Sequence, residues 1–340
     1  MVRNFILFIC FFFAHLQAET TRILSFDGGG VRGVVSLELL RLLKDECSIN
    51  LNEDVDVYAG TSTGSIIAVA LASGLSVEKI LHEYDALSSY VFGKKSHFSL
   101  FLPKYKNERL RTSIKRILGS CGVTEETLIK DLPKKIVLTT VNLDSQSPTS
   151  RWRMDVIENI TPHGGNIKVV DAILESTAAP TYFPSVHGHI DGGMAMNDPS
   201  LCALMLAYQP HDDLRDFTIL SLGTGYYPHF IKNDESWGTL KWGMVGSHES
   251  GHLPLLNLIM DVEEQIPEQI LTRFLGDQYR KIDIRFSRDM VMDDYKEIPE
   301  LIQYTQKYIN ARPKKWNEEC LWVRQQFPSE KWWHPITRLF

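Results

Sequence analysis

The sequence contains no run of lysine and arginine and no alternation of basic with aromatic residues. Its formal net charge is −6, so no extended surface for nucleic acid or another polyanion is expected. The only Gly-Lys pair, Gly93-Lys94, lacks the earlier glycine that begins a Walker A phosphate-binding loop. That class of nucleotide-binding site is therefore excluded.

Cysteine is also scarce, with five residues in 340. Cys10 lies in the N-terminal apolar run, and the other four stand far apart in sequence without the spacing of a metal site: Cys47, Cys121, Cys202 and Cys320. Disulfides in an exported protein and buried free thiols both remain open. No pairing follows from the sequence.

The N-terminal apolar run, Phe5–Ala14, is short for a membrane-spanning helix, which takes about 20 residues. Arg3 precedes it, and the small residue Ala18 stands before Glu19, which is the layout of a secretory signal peptide. We predict a signal peptide over residues 1–18 with cleavage after Ala18, and hence a secreted or periplasmic protein. Retention of the run as an anchor is the alternative.

The remaining chain is long enough for a large core, since 44% of all residues are hydrophobic. We predict one large α/β domain over residues 19–230. Residues 231–340, rich in leucine and isoleucine at helical spacing, are expected to form a mainly helical extension packed on the same domain.

The segment Gly60-Thr61-Ser62-Thr63-Gly64 has the form Gly-x-Ser-x-Gly between two apolar elements. Asp54–Ala59 reads as a short strand, and Ser65–Ala72 as a buried helix. This is the context of a nucleophile elbow, in which a sharp turn lifts a serine hydroxyl above the sheet. Gly60 and Gly64 would relieve crowding at the turn, so we predict Ser62 as a nucleophile. A Gly/Ser/Thr-rich loop without catalytic function is the simpler alternative.

A second glycine-rich junction follows the strand Thr21–Phe26: Asp27-Gly28-Gly29-Gly30-Val31-Arg32-Gly33, before an amphipathic helix from Val34 to about Lys44. Successive glycine amides at a helix N-terminus can form an anion-binding concavity. The anion could be a bound phosphate or the oxyanion of an acyl-transfer intermediate.

Read literally, the same glycines match the dinucleotide fingerprint G-x-G-x-x-G, and Glu53 and Asp54 follow at the required distance. In a dinucleotide site, however, the acidic residue closes the second strand. Here Glu53 and Asp54 open a strand that ends at Ser62, so a nucleotide cofactor is not expected.

Asp191 ends a short strand and is followed by Gly192 and Gly193. From spacing alone an Asp-Gly turn is the better interpretation. The alternative is a carboxylate at the edge of a sheet, where segments of the chain approach closely. A further strand, Phe217–Leu222, also ends in glycines, Gly223-Thr224-Gly225.

One motif suggests a different chemistry: His248-Glu249-Ser250-Gly251-His252 is literally H-E-x-x-H, with Glu263 or Glu264 downstream as a further ligand. A zinc peptidase needs both histidines on one face of a helix. Gly246, Gly251 and Pro254 favour a loop instead, so no metal is predicted.

The apolar segment His97–Pro103 lacks a clean period. A loop packed on the core is the preferred interpretation, and an exposed patch for lipid contact or a lid is the alternative.

Taken together, three blocks in order resemble the patatin-like phospholipases, a family of lipid acyl hydrolases. They are Asp27–Gly33, Gly60–Gly64 and Asp191-Gly192-Gly193, and the similarity runs from about Ile23 to Gly225. The resemblance implies a three-layer α/β/α fold with a central, mostly parallel sheet. It also implies that Ser62 is the nucleophile and that Asp191 is the general base and its only catalytic partner. Gly28, Gly29 and Gly30 would form the oxyanion hole.

The sequence therefore predicts a lipid acyl hydrolase that needs no cofactor and touches membrane surfaces transiently to reach its lipid substrate. A zinc peptidase through His248, Glu249 and His252, and a catalytically silent lipid-binding protein, are the alternatives. Neither the oligomeric state nor the lipid head group follows from the sequence.

Overall fold

The computed structural model describes residues 20–96, 101–143, 151–231, 234–245 and 254–328. The signal peptide predicted over residues 1–18 and the loop predicted at the H-E-x-x-H motif lie outside these residues, and both stay predictions. Within the described ranges, no helix is both long and apolar enough to cross a bilayer.

A seven-stranded mixed sheet forms the centre of the protein, with the order β4-β3-β2-β1-β6-β7 and with β5 paired to β3. Neighbours from β3 through β7 along this order are parallel, whereas β4 and β5 run antiparallel to β3. The strands are β1 (Thr21–Phe26), β2 (Val57–Gly60), β3 (Lys135–Asn142), β4 (Arg153–Glu158), β5 (His189–Asp191), β6 (Phe217–Leu222) and β7 (Tyr279–Ile282).

Helices cover both faces of the sheet, so the central strands are buried on both sides. Alternate residues of each strand face opposite helical layers. On β1, Leu24 and Phe26 belong to one core and Ile23 to the other. The larger core is built with α1 (Gly33–Cys47), α2 (Thr63–Ala72), α3 (Val77–Phe92), α4 (Asn107–Gly119), α5 (Val169–Ser176), α8 (Ile298–Asn310) and α9 (Pro313–Gln326). The smaller core is built with α6 (Ser200–Ala207) and α7 (Pro254–Leu275). The predicted three-layer α/β/α fold is confirmed.

The C-terminal part departs from the prediction in one respect. Three of its long elements are helices, as expected, but β7 joins the central sheet beside β6. Residues 279–282 were expected to lie in a helical layer. The strand was missed because Tyr-Arg-Lys-Ile is short and charged, and the pattern of the sequence around it is helical.

The apolar segment 97–103 is described only from residue 101. Phe101 is 89% exposed and Leu102 54%, so the prediction that this segment packs on the core is wrong for these two residues. Phe98 and Leu100 lie outside the described residues.

The four cysteines after the N-terminal run are free thiols, and Cys47 donates a long hydrogen bond of 3.6 Å to the carbonyl of Cys320.

Candidate active site

Ser62 stands at a sharp turn between β2 and α2. Its backbone has φ 54° and ψ −122°, in the left-handed region that a residue with a side chain rarely adopts. A Cβ at Gly60 would collide with the carbonyl of Gly64, and one at Gly64 would collide with the carbonyl of Phe26. Both glycines are therefore required for the turn to fit between the strands, as the elbow interpretation predicts.

Asp191 reaches Ser62 through the pairing of β3. Gly60 of β2 lies opposite Leu138, and Asp191 of β5 lies opposite Thr140. The other edge of β3 is occupied by β4 over Val137–Asn142, so β5 continues the position in the sheet where β2 ends. Two segments 129 residues apart thus meet end to end.

The Ser62 hydroxyl donates a hydrogen bond of 2.6 Å to Oδ2 of Asp191. Oδ1 of the same carboxylate accepts from the amide of Gly193 at 2.8 Å. Burial raises the pKa of Asp191 to about 6, and these two hydrogen bonds oppose the shift. Among the described residues, no histidine hydrogen-bonds to Ser62 or Asp191, whereas His187 and His189 contact Glu175 and Asp155. The arrangement can deprotonate a serine hydroxyl without an imidazole.

The glycine loop after β1 passes beside Ser62, since a Cβ on Gly28 would lie 3.2 Å from the Cβ of Ser62. The carbonyl of Gly28 accepts from Oγ1 of Thr224 at 2.9 Å and from Nδ2 of Asn197 at 3.3 Å. Because the C=O and the following N–H of a trans peptide point in opposite directions, this clamp turns the Gly29 amide away from Thr224 and Asn197.

The three glycine amides are not equivalent. The Gly28 amide donates to the carbonyl of Asn197 at 3.3 Å. Those of Gly29 and Gly30 donate no backbone hydrogen bond to the part of the chain that the structure describes. The Gly30 carbonyl is held by the hydroxyl of Tyr84 at 2.9 Å. The amides of Gly29 and Gly30 are thus left available in this loop, whereas the amide of Gly28, which was also expected in the oxyanion hole, is already bonded.

The other residues of the predicted motifs support these loops. Gly33 begins α1, and a Cβ there would lie 2.5 Å from the Tyr84 hydroxyl. Gly192 packs tightly against Thr139, and the Arg32 amide closes the loop on the Gly29 carbonyl at 3.2 Å. Nε of Arg32 is buried and has no hydrogen-bond partner among the described residues.

Lys281 on β7 lies in a buried ionic cluster beneath the site. Its Nζ is 2.8 Å from Oδ2 of Asp27 and 3.1 Å from Oδ2 of Asp198, and it is 3.6 Å from Oε1 of Glu264. Burial opposes the charge of Lys281, but these carboxylates together raise its pKa well above the usual value. Asp27 immediately precedes Gly28, and Asp198 immediately follows Asn197. One ammonium group therefore joins the two loops that flank the serine.

Glu263 and Glu264 of α7 contact the same region. Glu263 accepts from the amide of Asn197 at 2.6 Å, and Glu264 accepts from its Nδ2 at 2.8 Å. Burial raises the pKa of Glu263 to about 8. In the zinc-peptidase alternative one of these glutamates would be a further ligand, and the histidines it would join, His248 and His252, lie outside the described residues.

Sequence reasoning missed Lys281 and the clamp on Gly28. A single lysine in a short strand carries no motif, and its two nearest partners, Asp27 and Asp198, are more than 80 residues away in sequence. Thr224 stood in a recognised strand-to-glycine junction, Gly223–Gly225, and that junction was the one signal that pointed toward it.

Comparison with known proteins gives concordant matches. A family model described as Patatin-like phospholipase matches residues 24–204. A cGAMP-activated phospholipase from Vibrio cholerae is 30% identical over 245 residues, which cover 62% of this chain and 66% of that protein, slightly under two thirds of its length. Patatin-like protein 4 from Arabidopsis thaliana is 28% identical over 329 residues, covering 80% of this chain and 78% of that protein. Among solved structures, VipD from Legionella pneumophila is 11% identical with a TM-score of 0.43, covering 84% of this chain and 67% of that one.

Proposed function

The chain belongs to the patatin-like phospholipase family, and we propose that it hydrolyses carboxylic esters of membrane lipids through an acyl-enzyme on Ser62. The observation that carries the proposal is the 2.6 Å hydrogen bond from the Ser62 hydroxyl to Asp191 at a strained strand-to-helix turn. The relative from Vibrio cholerae, a cGAMP-activated phospholipase, supports a lipid substrate. The head group and the acyl position are left open.

In the first step, Oδ2 of Asp191 accepts the hydroxyl proton while Oγ of Ser62 attacks the ester carbonyl carbon. The carbonyl oxygen becomes an oxyanion, which the free amides of Gly29 and Gly30 would bind. One such donor is worth about 3 to 4 kcal/mol of barrier. Thr224 and Asn197 support this step indirectly, since they fix the peptide that carries the Gly29 amide.

Collapse of the tetrahedral intermediate breaks the bond to the leaving alcohol, which takes the proton from Asp191. The acyl group remains on Oγ of Ser62. Water then attacks the acyl carbonyl, Asp191 accepts a proton from that water, and the fatty acid leaves as Ser62 regains its hydroxyl proton. Asp191 thus acts as base and acid in turn, and the steps balance without a further group.

The test compares Ser62→Ala and Asp191→Asn with Asp155→Asn. Asp155 is a matched control, because it lies opposite Thr140 on the other edge of β3, as Asp191 does on the near edge. We expect each of the first two changes to lower ester turnover by about a thousandfold or more in a folded protein, and Asp155→Asn to leave it within about threefold. A fluorophosphonate probe should label Ser62 in the wild type and in the Asp155→Asn control, and should label neither of the other two variants.

Three outcomes would contradict the proposal. Loss of activity on changing one of the downstream histidines, His211, His229, His248, His252 or His334, would favour a triad. Loss on adding a zinc chelator would favour metal chemistry at His248 and His252. Lipid binding without turnover or labelling in the wild type would favour a silent lipid-binding protein.

A further inference from the structure

A row of apolar side chains lies uncovered on the outer side of α7. Each of them is between 42% and 52% exposed, although the helix packs against the sheet. The row, termed the outer stripe, consists of Leu255, Leu258, Ile259, Val262 and Ile266. Steps of three and four residues place them on one side of the helix.

The same helix already has an apolar face in the core. Pro267, Leu271 and Leu275 are buried toward the sheet. At about 100° per residue, the outer stripe lies roughly opposite these three positions. A surface helix of a globular protein normally carries polar residues there. An apolar row on the solvent side therefore indicates a binding surface.

The outer stripe adjoins the candidate active site. Ile259 and Ile266 stand one turn before and one turn after Glu263, which places them beside it on the helix surface. Glu263 accepts the hydrogen bond from the amide of Asn197, and Asn197 in turn holds the Gly28 carbonyl. One carboxylate thus separates the apolar row from the loops that flank Ser62.

The surface next to α7 has matching chemistry. The short helix Lys241–Val245 packs against α7, and Leu240 just before it is 70% exposed. Nearby, Trp237 packs edge-on against Trp242 with 5.3 Å between ring centroids, and the ammonium of Lys241 lies 5.9 Å from the Trp237 ring. Tryptophan and lysine are the residues that favour the boundary between lipid and water.

We propose that the outer stripe, with Leu240, is the surface that binds a lipid bilayer, so that the ester bond of a membrane lipid reaches Ser62. The inference rests on the proposed lipid acyl hydrolase function. A lipid ester lies at the boundary of head groups and acyl chains, and an amphipathic helix lying in that boundary buries its apolar row there. A lipid surface is favoured over a second copy of this chain because the row adjoins the loops that must meet the substrate.

The experiment compares the wild type with Ile259→Gln/Val262→Gln. Trp152→Gln/Leu321→Gln is the matched control, since it also removes two exposed apolar side chains, one just before β4 and one on α9. Binding is measured by sedimentation with vesicles of equal parts phosphatidylcholine and phosphatidylglycerol. Turnover is measured on those vesicles and on a soluble short-chain ester. All proteins carry the same N-terminus, so any contribution of Phe5–Ala14 cancels.

We expect the α7 variant to bind vesicles at least about tenfold more weakly and to hydrolyse vesicle lipid correspondingly more slowly. Its turnover of the soluble ester should equal that of the wild type, and the control should match the wild type in every assay. If the wild type turns over neither substrate, the proposed function fails, while vesicle binding still reports on the outer stripe.

Three results would overturn the inference. Vesicle binding equal to the wild type would mean that lipid does not contact the stripe. A wild-type dimer that dissociates in the α7 variant, seen by analytical ultracentrifugation, would assign the surface to a second copy. Unchanged vesicle binding with a lowered Tm would mean that a segment of this chain outside the described residues covers the row.

Discussion

At the scale of single residues, the proposed role of Asp191 depends on its ionisation, because only the ionised carboxylate can accept a proton and burial disfavours that form. Burial favours the protonated acid and raises its pKa to about 6, while the Ser62 hydroxyl and the Gly193 amide stabilise the carboxylate. The base is thus mostly ionised at neutral pH and has a proton affinity near the working range. The activity on a soluble ester should therefore fall as the pH drops through about 6.

The same shift has a consequence for stability, and its sign is opposite to that of a salt-bridged carboxylate. The folded protein holds the Asp191 proton more tightly than the unfolded chain, whose aspartates have a pKa near 3.9. The contribution of Asp191 to the free energy of unfolding therefore decreases as the pH rises from about 4 to about 6, and it stays at its lowest value above that range. The difference between these two pKa values corresponds to about 3 kcal/mol of folding free energy.

We accordingly predict that Asp191→Asn, which we expect to be inactive, raises the free energy of unfolding at pH 8 by up to about 3 kcal/mol relative to wild type. An asparagine can accept from Gly193, and it carries no charge to desolvate. The gain should vanish near pH 4, because the wild-type carboxylate is then protonated. Urea unfolding at both pH values measures the difference, in which other titrating groups cancel. Equal destabilisation at both pH values would contradict the raised pKa.

The two residues of the dyad were not equally predictable. Ser62 carries a local signal, since a strand, two glycines and a helix all lie within about fifteen residues. Asp191 looks like an ordinary Asp-Gly turn from its own neighbours, and only the resemblance to a family selected it. Its role depends on β5 pairing with β3, which is a long-range contact that no local pattern encodes.

At the scale of elements, β7 stabilises the loops around Ser62 through the side chain of Lys281. Asp27 and Asp198 are both buried, and Lys281 is the cation that contacts them among the described residues. Ser25 and Ser221 also donate to Asp198, at 3.3 Å and 3.0 Å. Asp27 directly precedes Gly28 and Asp198 directly follows Asn197, so the charge of Lys281 holds in place the two loops that flank Ser62.

We predict that Lys281→Met lowers the free energy of unfolding by about 3 to 5 kcal/mol, since removing one partner leaves buried carboxylates uncompensated. Lys281→Arg, which keeps the charge, is the matched control and should retain most of the stability. The deficit of the methionine variant should shrink as the pH falls, because Asp27, whose pKa burial raises well above the usual value, then becomes neutral. Chemical unfolding at pH 5 and pH 8 measures both effects. A methionine variant as stable as wild type at pH 8 would refute the structural role of this cluster.

Most elements before residue 225 were predictable because their patterns agree with their environment. The strand Phe217–Leu222, for example, is largely apolar and buried along its whole length, and its predicted bounds match the structure. β7 did not follow this rule, since its middle residues, Arg280 and Lys281, are charged and Lys281 points into the protein. Its position in the sheet comes from pairing with β6 and from the buried carboxylates, and neither is visible in residues 279–282 alone.

At the scale of the whole molecule, the C-terminal part completes the domain that carries Ser62. Side chains of α8 and α9, such as Leu301 and Val323, belong to the same core as β1 and α1. The α9 backbone also accepts from the side chain of Arg22, at the carbonyl of Gln326, with a distance of 3.0 Å. These contacts favour one cooperative unit over two domains that fold separately.

We therefore predict that a chain of residues 19–230, which ends before α7, does not fold. It would lose β7 beside β6, expose the core residues that α8 and α9 cover, and leave Asp27 and Asp198 without Lys281. The matched control is a chain of residues 19–328, which keeps every described element and should unfold in one transition. Circular dichroism during thermal unfolding, with the soluble fraction after expression, distinguishes the two. If the shorter chain is soluble and unfolds cooperatively, residues 231–340 are a separate domain, and the buried cluster around Lys281 is not needed to form the elbow at Ser62.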